Sequence, residues 1–339
     1  MQFNFLIIRQ DRIGDVVLSL PIAITLRKAF PGCRITVLLR DYARAIYQNS
    51  RFVDEIMSYK DFDLDYRGIF SLAYQLRKRK FTHSVMPLPD SKLNLTTFLA
   101  GIRVRISNGH KLFHLLTNTK STYRRKYIQF RHESDYCLDS LRKTGLEIHH
   151  PEAEITISET ERMENRKMKD RLCPNLEKLI AINTSSGNSA PNLTRAAYLE
   201  LTKLLVSDPL IKVLITDKDP LPEFESIPGV HFLEDKNDLR EMINYLSISD
   251  VVVSSSTGPM HIAGALNVPT VSVFCPLPAC SPVLWGPIGN KPTYVLPSET
   301  YCGNICSGNP KTCSFEGEGG ISPGTVYEKI LGVLNSQRR

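Results

Sequence analysis

The sequence predicts an α/β protein built from two Rossmann-like halves, and three observations support this. The chain has 339 residues, a length that suits two domains better than a single core. Short apolar runs alternate with helical segments, as in a parallel sheet that is covered on both faces. The alternation occurs twice, on either side of a highly charged helix that we expect at residues 159–170.

The first half begins with an apolar strand and continues with strand–helix steps. We expect strands at 5–9, 34–39, 55–59, 83–86 and 104–106. We expect helices at 15–30, with an interruption at Pro21, and at 42–49, 69–79, 93–100 and 131–147.

The second half repeats this scheme without sequence similarity to the first. We expect strands at 179–183, 212–216, 230–232, 250–254 and 270–274, and helices at 195–207, 239–247, 259–265 and 324–336. The predicted domains are residues 1–170 and 171–322. A final segment, 323–339, is expected to pack back on the first domain.

The composition indicates a soluble globular protein, since 42% of the residues are hydrophobic and 23% are charged. The apolar run after Met1 is short and no basic residue precedes it, which argues against a signal peptide. No segment approaches the ~20 apolar residues of a membrane span. We therefore expect a cytoplasmic protein.

The formal net charge is +7, which fits either ordinary surface charge or attraction to an acidic partner. Two basic runs, 77–80 and 124–126, favour contact with an anionic membrane face or a phosphorylated acceptor. No recognisable module surrounds them, so nucleic acid is not expected.

Three of the eight cysteines lie close together, Cys302, Cys306 and Cys313. Zinc sites usually have tighter pairs and a fourth ligand, so we predict no metal site, although the spacing leaves metal binding by these thiols open. The turn after the first strand has only Gly14 of the G-x-G-x-x-G pattern, which disfavours NAD or FAD. We predict no cofactor.

The loop after the first strand contains Gly14 and Asp15, at the edge of the sheet where α/β proteins bind ligands. We expect Gly14 to permit a tight turn close to a ligand, and we predict that it contacts the acceptor. Asp15 is interpreted either as a helix cap or as a general base that takes a proton from an acceptor hydroxyl. Asp11 is a weaker candidate for that base.

A second loop of small residues precedes the helix at 259–265. We expect its residues, with the positive helix end, to bind a diphosphate, and the alternative is a well-capped helix. The predicted donor-binding residues are Ser256, Thr257, Gly258, Pro259, Met260 and His261.

Two further loops follow strands. In the loop at 184–192, Ser186 and Gly187 are candidates to bind the donor, although any surface loop has a similar composition. In the loop after residue 86, Asp90, Ser91 and Lys92 are candidates to contact an acidic acceptor, and a simple turn is the alternative.

Taken together, these residues resemble glycosyltransferase family 9, the bacterial ADP-heptose:lipopolysaccharide heptosyltransferases. The resemblance rests on four stretches in the family's order: 8–21 with Phe30-Pro31, 100–106, 256–266, and 271–274 with Trp285-Gly286-Pro287. It implies a GT-B fold, with two Rossmann-like domains facing across a cleft, and inverting, metal-independent transfer from an ADP-sugar.

By position, Asp15 matches the family's catalytic base, and Thr257, Gly258 and His261 match its donor diphosphate site. The resemblance implies a lipopolysaccharide core or related acceptor, lipid-linked or phosphorylated, and peripheral contact with the inner face of the cytoplasmic membrane. The sugar, nucleotide, acceptor and oligomeric state are left open.

Two positions depart from the family pattern. Ser256 stands where members usually carry Asp, and Pro191-Asn192 stand where they usually carry a Lys or Arg aimed at the donor phosphates. Lys218 is a candidate substitute for that cation. The departures keep two alternatives open: a GT-B sugar-nucleotide-binding protein with weakened catalysis, and a GT-B enzyme of other chemistry such as an epimerase.

Overall fold

A computed structural model describes most of the chain, namely residues 3–59, 64–123, 131–148, 150–187, 189–306 and 308–337. The basic run at 124–126 lies outside the described residues. The chain divides into two compact units, Met1–Thr156 and Ile157–Arg339.

The described part of the first unit contains six strands and seven α-helices. The strands are β1 (Asn4–Arg9), β2 (Arg34–Arg40), β3 (Glu55–Tyr59), β4 (His83–Met86), β5 (Val104–Asn108) and β6 (Lys120–Thr122). The helices are α1 (Ile13–Val17), α2 (Leu20–Ala29), α3 (Arg44–Tyr47), α4 (Tyr66–Lys78), α5 (Ser91–Leu99), α6 (Leu112–Leu116) and α7 (Glu133–Arg142).

The first sheet is parallel throughout, in the order β3-β2-β1-β4-β5-β6. The order reverses between β1 and β4, where Phe5 pairs with His83 and Ile7 with Val85. This is the doubly wound Rossmann arrangement. β1 is buried along nearly its whole length because both faces of the sheet are covered by helices, which explains its continuous apolar run.

The described part of the second unit also contains six strands and six α-helices. The strands are β7 (Lys178–Ile182), β8 (Ile211–Ile215), β9 (Val230–Phe232), β10 (Val251–Ser255), β11 (Thr270–Val273) and β12 (Pro292–Val295). The helices are α8 (Glu159–Leu172), α9 (Arg195–Val206), α10 (Leu239–Ser247), α11 (Gly258–Ala265), α12 (Pro282–Trp285) and α13 (Pro323–Ser336).

The second sheet is parallel as well, in the order β12-β11-β10-β7-β8-β9. Counted from β7, this is the same order as in the first sheet. The reversal falls between β7 and β10, where Ile180 pairs with Val251. The predicted α/β class with two Rossmann-like halves is confirmed.

The element bounds differ from the sequence prediction in a few places. The predicted helix at 15–30 is two helices, and Pro21 lies in the first turn of α2 instead of inside a continuous helix. The short elements α6, β6 and β12 were not predicted.

The division between the units falls earlier than the boundary predicted after residue 170. α8 packs against α10 and belongs to the second unit. α13 packs against α9 and strands of the second sheet, and its predicted packing against the first domain stays a prediction. Within the described residues, no helix is long and apolar enough to cross a membrane.

Candidate functional site

The four predicted loops follow the four strands that border the two reversals of strand order. In the first unit they follow β1 and β4, which are neighbours. In the second unit they follow β7 and β10, which are also neighbours. Open α/β sheets bind ligands outside the carboxyl ends of their strands at such a reversal. The structure therefore brings the predicted residues of each unit to its preferred ligand position.

Arg9, the last residue of β1, is the centre of the first loop. Its side chain is only 2% exposed, and its guanidinium donates a hydrogen bond to Oδ1 of Asp15 over 3.1 Å. Nε lies 2.6 Å from Oδ1 of Asp11. Glu133, in the first turn of α7, is 4.0 Å away and as deeply buried. One buried cation is thus surrounded by three carboxylates.

This arrangement shifts two pKa values. Burial opposes the charge of Arg9, but the negative groups around it, including Asp11 and Asp15, hold the Arg9 pKa above its ordinary value. Burial raises the pKa of Asp11 to about 6; Arg9 opposes that rise and Asp15 adds to it. Asp11 consequently exchanges its proton near neutral pH, beside a second carboxylate.

Asp15 lies in the first turn of α1 and is half-buried. The N-cap residue of this helix is Arg12, which makes no side-chain cap. The Asp15 carboxylate accepts from Arg9 instead. Gly14 was predicted to form a tight turn, which is wrong: α1 begins at Ile13, so Gly14 lies within the helix.

The loop after β4 ends at Asp90, which is the N-cap of α5. Its carboxylate accepts a hydrogen bond from the amide of Leu93 over 2.8 Å. Ser91 and Lys92 form the first turn of α5. The Asp90 carboxylate therefore caps α5. The side chains of Ser91 and Lys92 take no part in this cap.

The loop after β10 opens α11, whose second residue is Pro259. Thr257 is the N-cap by position, but its hydroxyl contacts the carbonyl of Ser255 instead of a helix amide, so its side chain does not cap the helix. Amides in the first turn of a helix have no partner within the helix, and here Gly258 and Met260 carry such amides. Together with the helix dipole they suit an anion.

His261 is 3% exposed, and its amide donates to the carbonyl of Thr257 over 3.3 Å. Ser256 is half-buried between the end of β10 and Thr257. The six predicted donor-binding residues of this segment therefore lie between the end of β10 and the first turn of α11.

The loop after β7 is held by a chain of buried hydrogen bonds. Asp217 accepts from the amide of Thr184 over 2.7 Å and from the Asn183 side chain over 3.3 Å. The Asn192 side chain donates to the Thr184 carbonyl and accepts from the Tyr198 hydroxyl, both at 2.7 Å. Asn192, at the position where a cation was expected, therefore fixes the loop.

Ser186 and Gly187 lie in a turn of the same loop. The amide and the hydroxyl of Ser189 both donate to the carbonyl of Ser186. Gly187 has φ +54°, a backbone conformation that favours glycine. The turn presents small residues beyond the end of β7.

Two buried hydroxyls at these strand ends have no hydrogen-bond partner among the described residues. They are Oγ1 of Thr184, after β7, and Oγ of Ser255, the last residue of β10. Buried polar atoms are nearly always paired with protein or water. These two hydroxyls can therefore form hydrogen bonds with a polar ligand at the adjacent strand ends.

Two basic side chains lie beside this loop. The Arg195 guanidinium, in the first turn of α9, donates to the carbonyl of Asp219. Lys218 precedes Asp219 and is exposed. Lys218 was predicted from the sequence, whereas Arg195, Asp217 and Glu133 were not. Position directly after a buried strand would have indicated Asp217, whereas nothing in the local sequence indicates that Glu133 meets Arg9.

Five of the six cysteines of the second unit lie in its core or pack against it: Cys275, Cys280, Cys302, Cys306 and Cys313. Sγ of Cys306 and Cys313 are 3.9 Å apart. A hydrogen bond with Cys275 lowers the pKa of Cys280 to about 7. In the portion of the chain that the structure describes, no group of three or more Cys, His, Asp or Glu side chains has the arrangement of a metal site.

The chain is similar to known glycosyltransferases. Residues 69–311 match the family model described as "Glycosyltransferase family 9 (heptosyltransferase)". A Haemophilus influenzae protein named "Putative glycosyltransferase" is 24% identical over 310 residues, which are 86% of this chain and 88% of that protein.

Two solved structures are similar over nearly the whole chain. A family 9 glycosyl transferase from Veillonella parvula has a TM-score of 0.81 at 18% identity, covering 98% of this chain and 97% of its own. The E. coli ADP-heptose lps heptosyltransferase II has a TM-score of 0.75 at 18% identity, covering 100% of each chain. These similarities identify the fold as GT-B.

Proposed function

Because the chain belongs to glycosyltransferase family 9 and is a glycosyltransferase, we propose that it transfers heptose from ADP-heptose, with inversion, to a lipopolysaccharide core or a related saccharide. The description of the family model and the name of the E. coli structure support this donor and this acceptor class. The acceptor is a lipid-linked or phosphorylated saccharide, and the enzyme works in peripheral contact with the inner face of the cytoplasmic membrane.

Two features together carry the proposal. In the first unit, the buried guanidinium of Arg9 holds Asp15 at the reversal of strand order. In the second unit, the N-terminus of α11 lies at the corresponding reversal. Asp15 takes the proton from an acceptor hydroxyl, and that oxygen attacks the anomeric carbon. The bond from the anomeric carbon to the diphosphate breaks, and ADP leaves. Attack from the face opposite the leaving group inverts the configuration.

Arg9 holds the Asp15 carboxylate in place through the hydrogen bond that its buried guanidinium donates. Asp15 remains partly exposed, so an acceptor hydroxyl has access to it. Arg9 contacts no substrate in this scheme and is a positioning residue.

In the second unit, the amides of Gly258 and Met260 donate hydrogen bonds to the diphosphate and stabilise the negative charge that develops on it. His261 adds a donor to the same phosphates, and the hydroxyls of Thr184 and Ser255 supply two more polar contacts. Arg195, in the first turn of α9, and Lys218, in the loop after β8, supply the positive charge that Asn192 does not.

Calorimetric titration with ADP, UDP and GDP tests the donor site, and Gly258→Trp serves as the control that blocks it. We expect selective binding of ADP that is lost in the variant. Equal affinity for all three nucleotides would contradict the proposed donor. Binding of ADP without turnover of ADP-heptose on any core acceptor would favour the alternative of a sugar-nucleotide-binding protein with weakened catalysis.

A further inference from the structure

The first unit carries an unusual concentration of exposed apolar side chains on three neighbouring helices, α4, α5 and α6. α4 contacts α5, and α5 contacts α6, on one side of the first sheet. We call this surface the α4–α6 face. It is defined by Tyr66, Phe70, Tyr74, Leu95, Phe98, Leu112, Leu115 and Leu116, all of which are exposed.

On α4 the exposed aromatic residues follow the helical repeat. Tyr66, Phe70 and Tyr74 are spaced four residues apart and therefore lie along one side of the helix. The opposite side, which includes Leu72 and Leu76, is buried against the sheet. α4 is thus apolar on both sides, and packing within the first unit accounts for only one of them.

On α6 the apolar residues are even more exposed. Leu115 and Leu116 are 79% and 75% exposed, although α6 has only five residues. Single exposed leucines are common, whereas a contiguous group of large apolar side chains marks an interaction surface. Among the described residues, packing leaves these leucines largely exposed.

The segment that forms this face is strongly positive. Residues 64–123 contain ten Lys or Arg and two Asp or Glu, a formal charge of +8, whereas the whole chain carries +7. The rest of the chain is therefore close to neutral. Of the ten basic residues, Arg105 is buried and Arg79 pairs with Glu55. Lys78 lies over the ring of Tyr74, 4.4 Å from its centre, so cations and aromatic rings of this face are in direct contact.

We infer that the α4–α6 face docks the enzyme on an anionic lipid bilayer. Aromatic and leucine side chains enter the boundary between headgroups and acyl chains, and the surrounding Lys and Arg neutralise lipid phosphates. A protein partner or a second copy of the chain would bury the apolar groups, but neither explains why the positive charge is concentrated here. A bilayer with anionic headgroups matches both features.

This inference names the surface used for the proposed membrane contact, and it rests on the proposed function only for the presence of a lipid-linked acceptor. Docking on this face would bring Lys92, in the first turn of α5, towards the layer that holds a lipid-linked saccharide.

Co-sedimentation with vesicles of phosphatidylcholine, alone or with phosphatidylglycerol, tests the face directly. We expect binding to the anionic vesicles that weakens steeply with added salt. Leu115→Ser combined with Leu116→Ser should lower the partition coefficient about tenfold or more, because each side chain loses apolar burial. The matched control is Leu176→Ser combined with Leu210→Ser, two exposed leucines of the second unit.

Two double variants that remove basic side chains measure the electrostatic contribution to vesicle binding. Arg77→Gln with Lys80→Gln should weaken binding to anionic vesicles several-fold, whereas Arg166→Gln with Lys167→Gln on α8 should not. ADP titration and thermal unfolding of each variant establish that it is folded.

Equal partition of the leucine variant and the wild type, or no vesicle binding by the wild type, would overturn the inference. So would a concentration-dependent dimer in ultracentrifugation that the leucine substitutions abolish, since a second copy would then cover the face. Vesicles without acceptor measure docking alone, so failed transfer with intact vesicle binding would count only against the proposed function.

Discussion

Arg9 donates a hydrogen bond to Asp15 across 3.1 Å, from a guanidinium that is almost completely buried at the end of β1. A carboxylate held in this way is oriented before any substrate arrives. The pair also joins a residue that belongs to the sheet core with one that is partly exposed. Three of the four predictions below test this pair and its neighbour Asp11.

Replacing Asp15 by Asn removes the proposed base while keeping the size of the side chain. We expect kcat to fall about 10²–10⁴-fold, the range that general-base catalysis supplies, with the affinity for ADP unchanged. Steady-state kinetics and calorimetric titration measure the two effects. Asp170→Asn, at an exposed position of α8, is the control. Near-normal turnover of the Asp15 variant would show that another group is the base.

Replacing Arg9 by Met leaves Asp11, Asp15 and the buried Glu133 without their common cation. Uncompensated buried charge typically costs about 3–5 kcal/mol, so we expect the free energy of unfolding to fall by roughly that amount at pH 7. Urea denaturation measures it. Arg166→Met, an exposed arginine of α8, should change stability little. A loss below about 1 kcal/mol would mean that the carboxylates are solvated after all.

The raised pKa of Asp11, about 6, links stability to pH. A carboxyl group whose pKa is raised by folding favours the folded state below its ordinary value of 3.8, and this contribution is lost as the pH rises through about 6. Asp11→Asn cannot ionise. Between pH 4 and 7, its stability should therefore improve relative to the wild type by on the order of 2 kcal/mol.

Denaturation of both proteins at several pH values measures this difference. A constant difference between pH 4 and 7 would contradict the assignment of the raised pKa to Asp11. Any constant offset reports instead the lost ion pair with Arg9, because that pair is missing from the variant at every pH.

Two helical glycines give a matched pair for packing around α11. A Cβ added at Gly264 would lie 2.7 Å from Cβ of Pro287 and 2.9 Å from the carbonyl oxygen of Ile288, whereas one at Gly332 of α13 would meet nothing within 4 Å. Gly264→Ala should cost about 1–3 kcal/mol through overpacking, and Gly332→Ala should stabilise by about 0.5–1 kcal/mol. Thermal and urea unfolding measure both, and equal effects would contradict the close approach.

The contact of Gly264 with Pro287 also connects two of the stretches that resemble the family. The stretch at 256–266 contains Gly264, and the tripeptide at 285–287 ends at Pro287. In the structure the tripeptide closes over α11. Close packing of α11 therefore explains the glycine at 264. This packing does not involve the residues at the N-terminus of α11, which we propose bind the ligand.

The strands were predictable because burial on both faces leaves a continuous apolar run, as in β1. The bounds of β3, β4 and β9 agree with the prediction, since each run is flanked by polar or turn residues. β12 was missed because Pro292 and Thr293 at its start are only half-buried and the run is short. Edge strands such as β12 show a weak hydrophobic pattern in the sequence, and their pairing with the neighbouring strand of the sheet defines them.

The candidate site was predictable only in part. Position after a strand predicted that Asp15 and Thr257 follow strand ends at the reversals of strand order, because topology dictates where strand ends meet. Their hydrogen bonds were not predictable: Asp15 accepts from Arg9, and Thr257 does not cap its helix. The role of Asn192 depends on Tyr198 and Thr184, which only the folded loop brings together.

The purely parallel sheets have a consequence for how the protein reaches its native state. Two parallel strands can pair only after the chain between them has formed a crossover connection. The pairs with the longest sequence separation are β1 with β4 and β7 with β10. Pairings that close long loops form slowly, because the entropy of closure is lost before the contacts are gained. During synthesis, Phe5 has no partner in β4 until His83 has left the ribosome. The ligand-binding edge of each unit is therefore expected to be completed late in folding, after local strand pairs have formed.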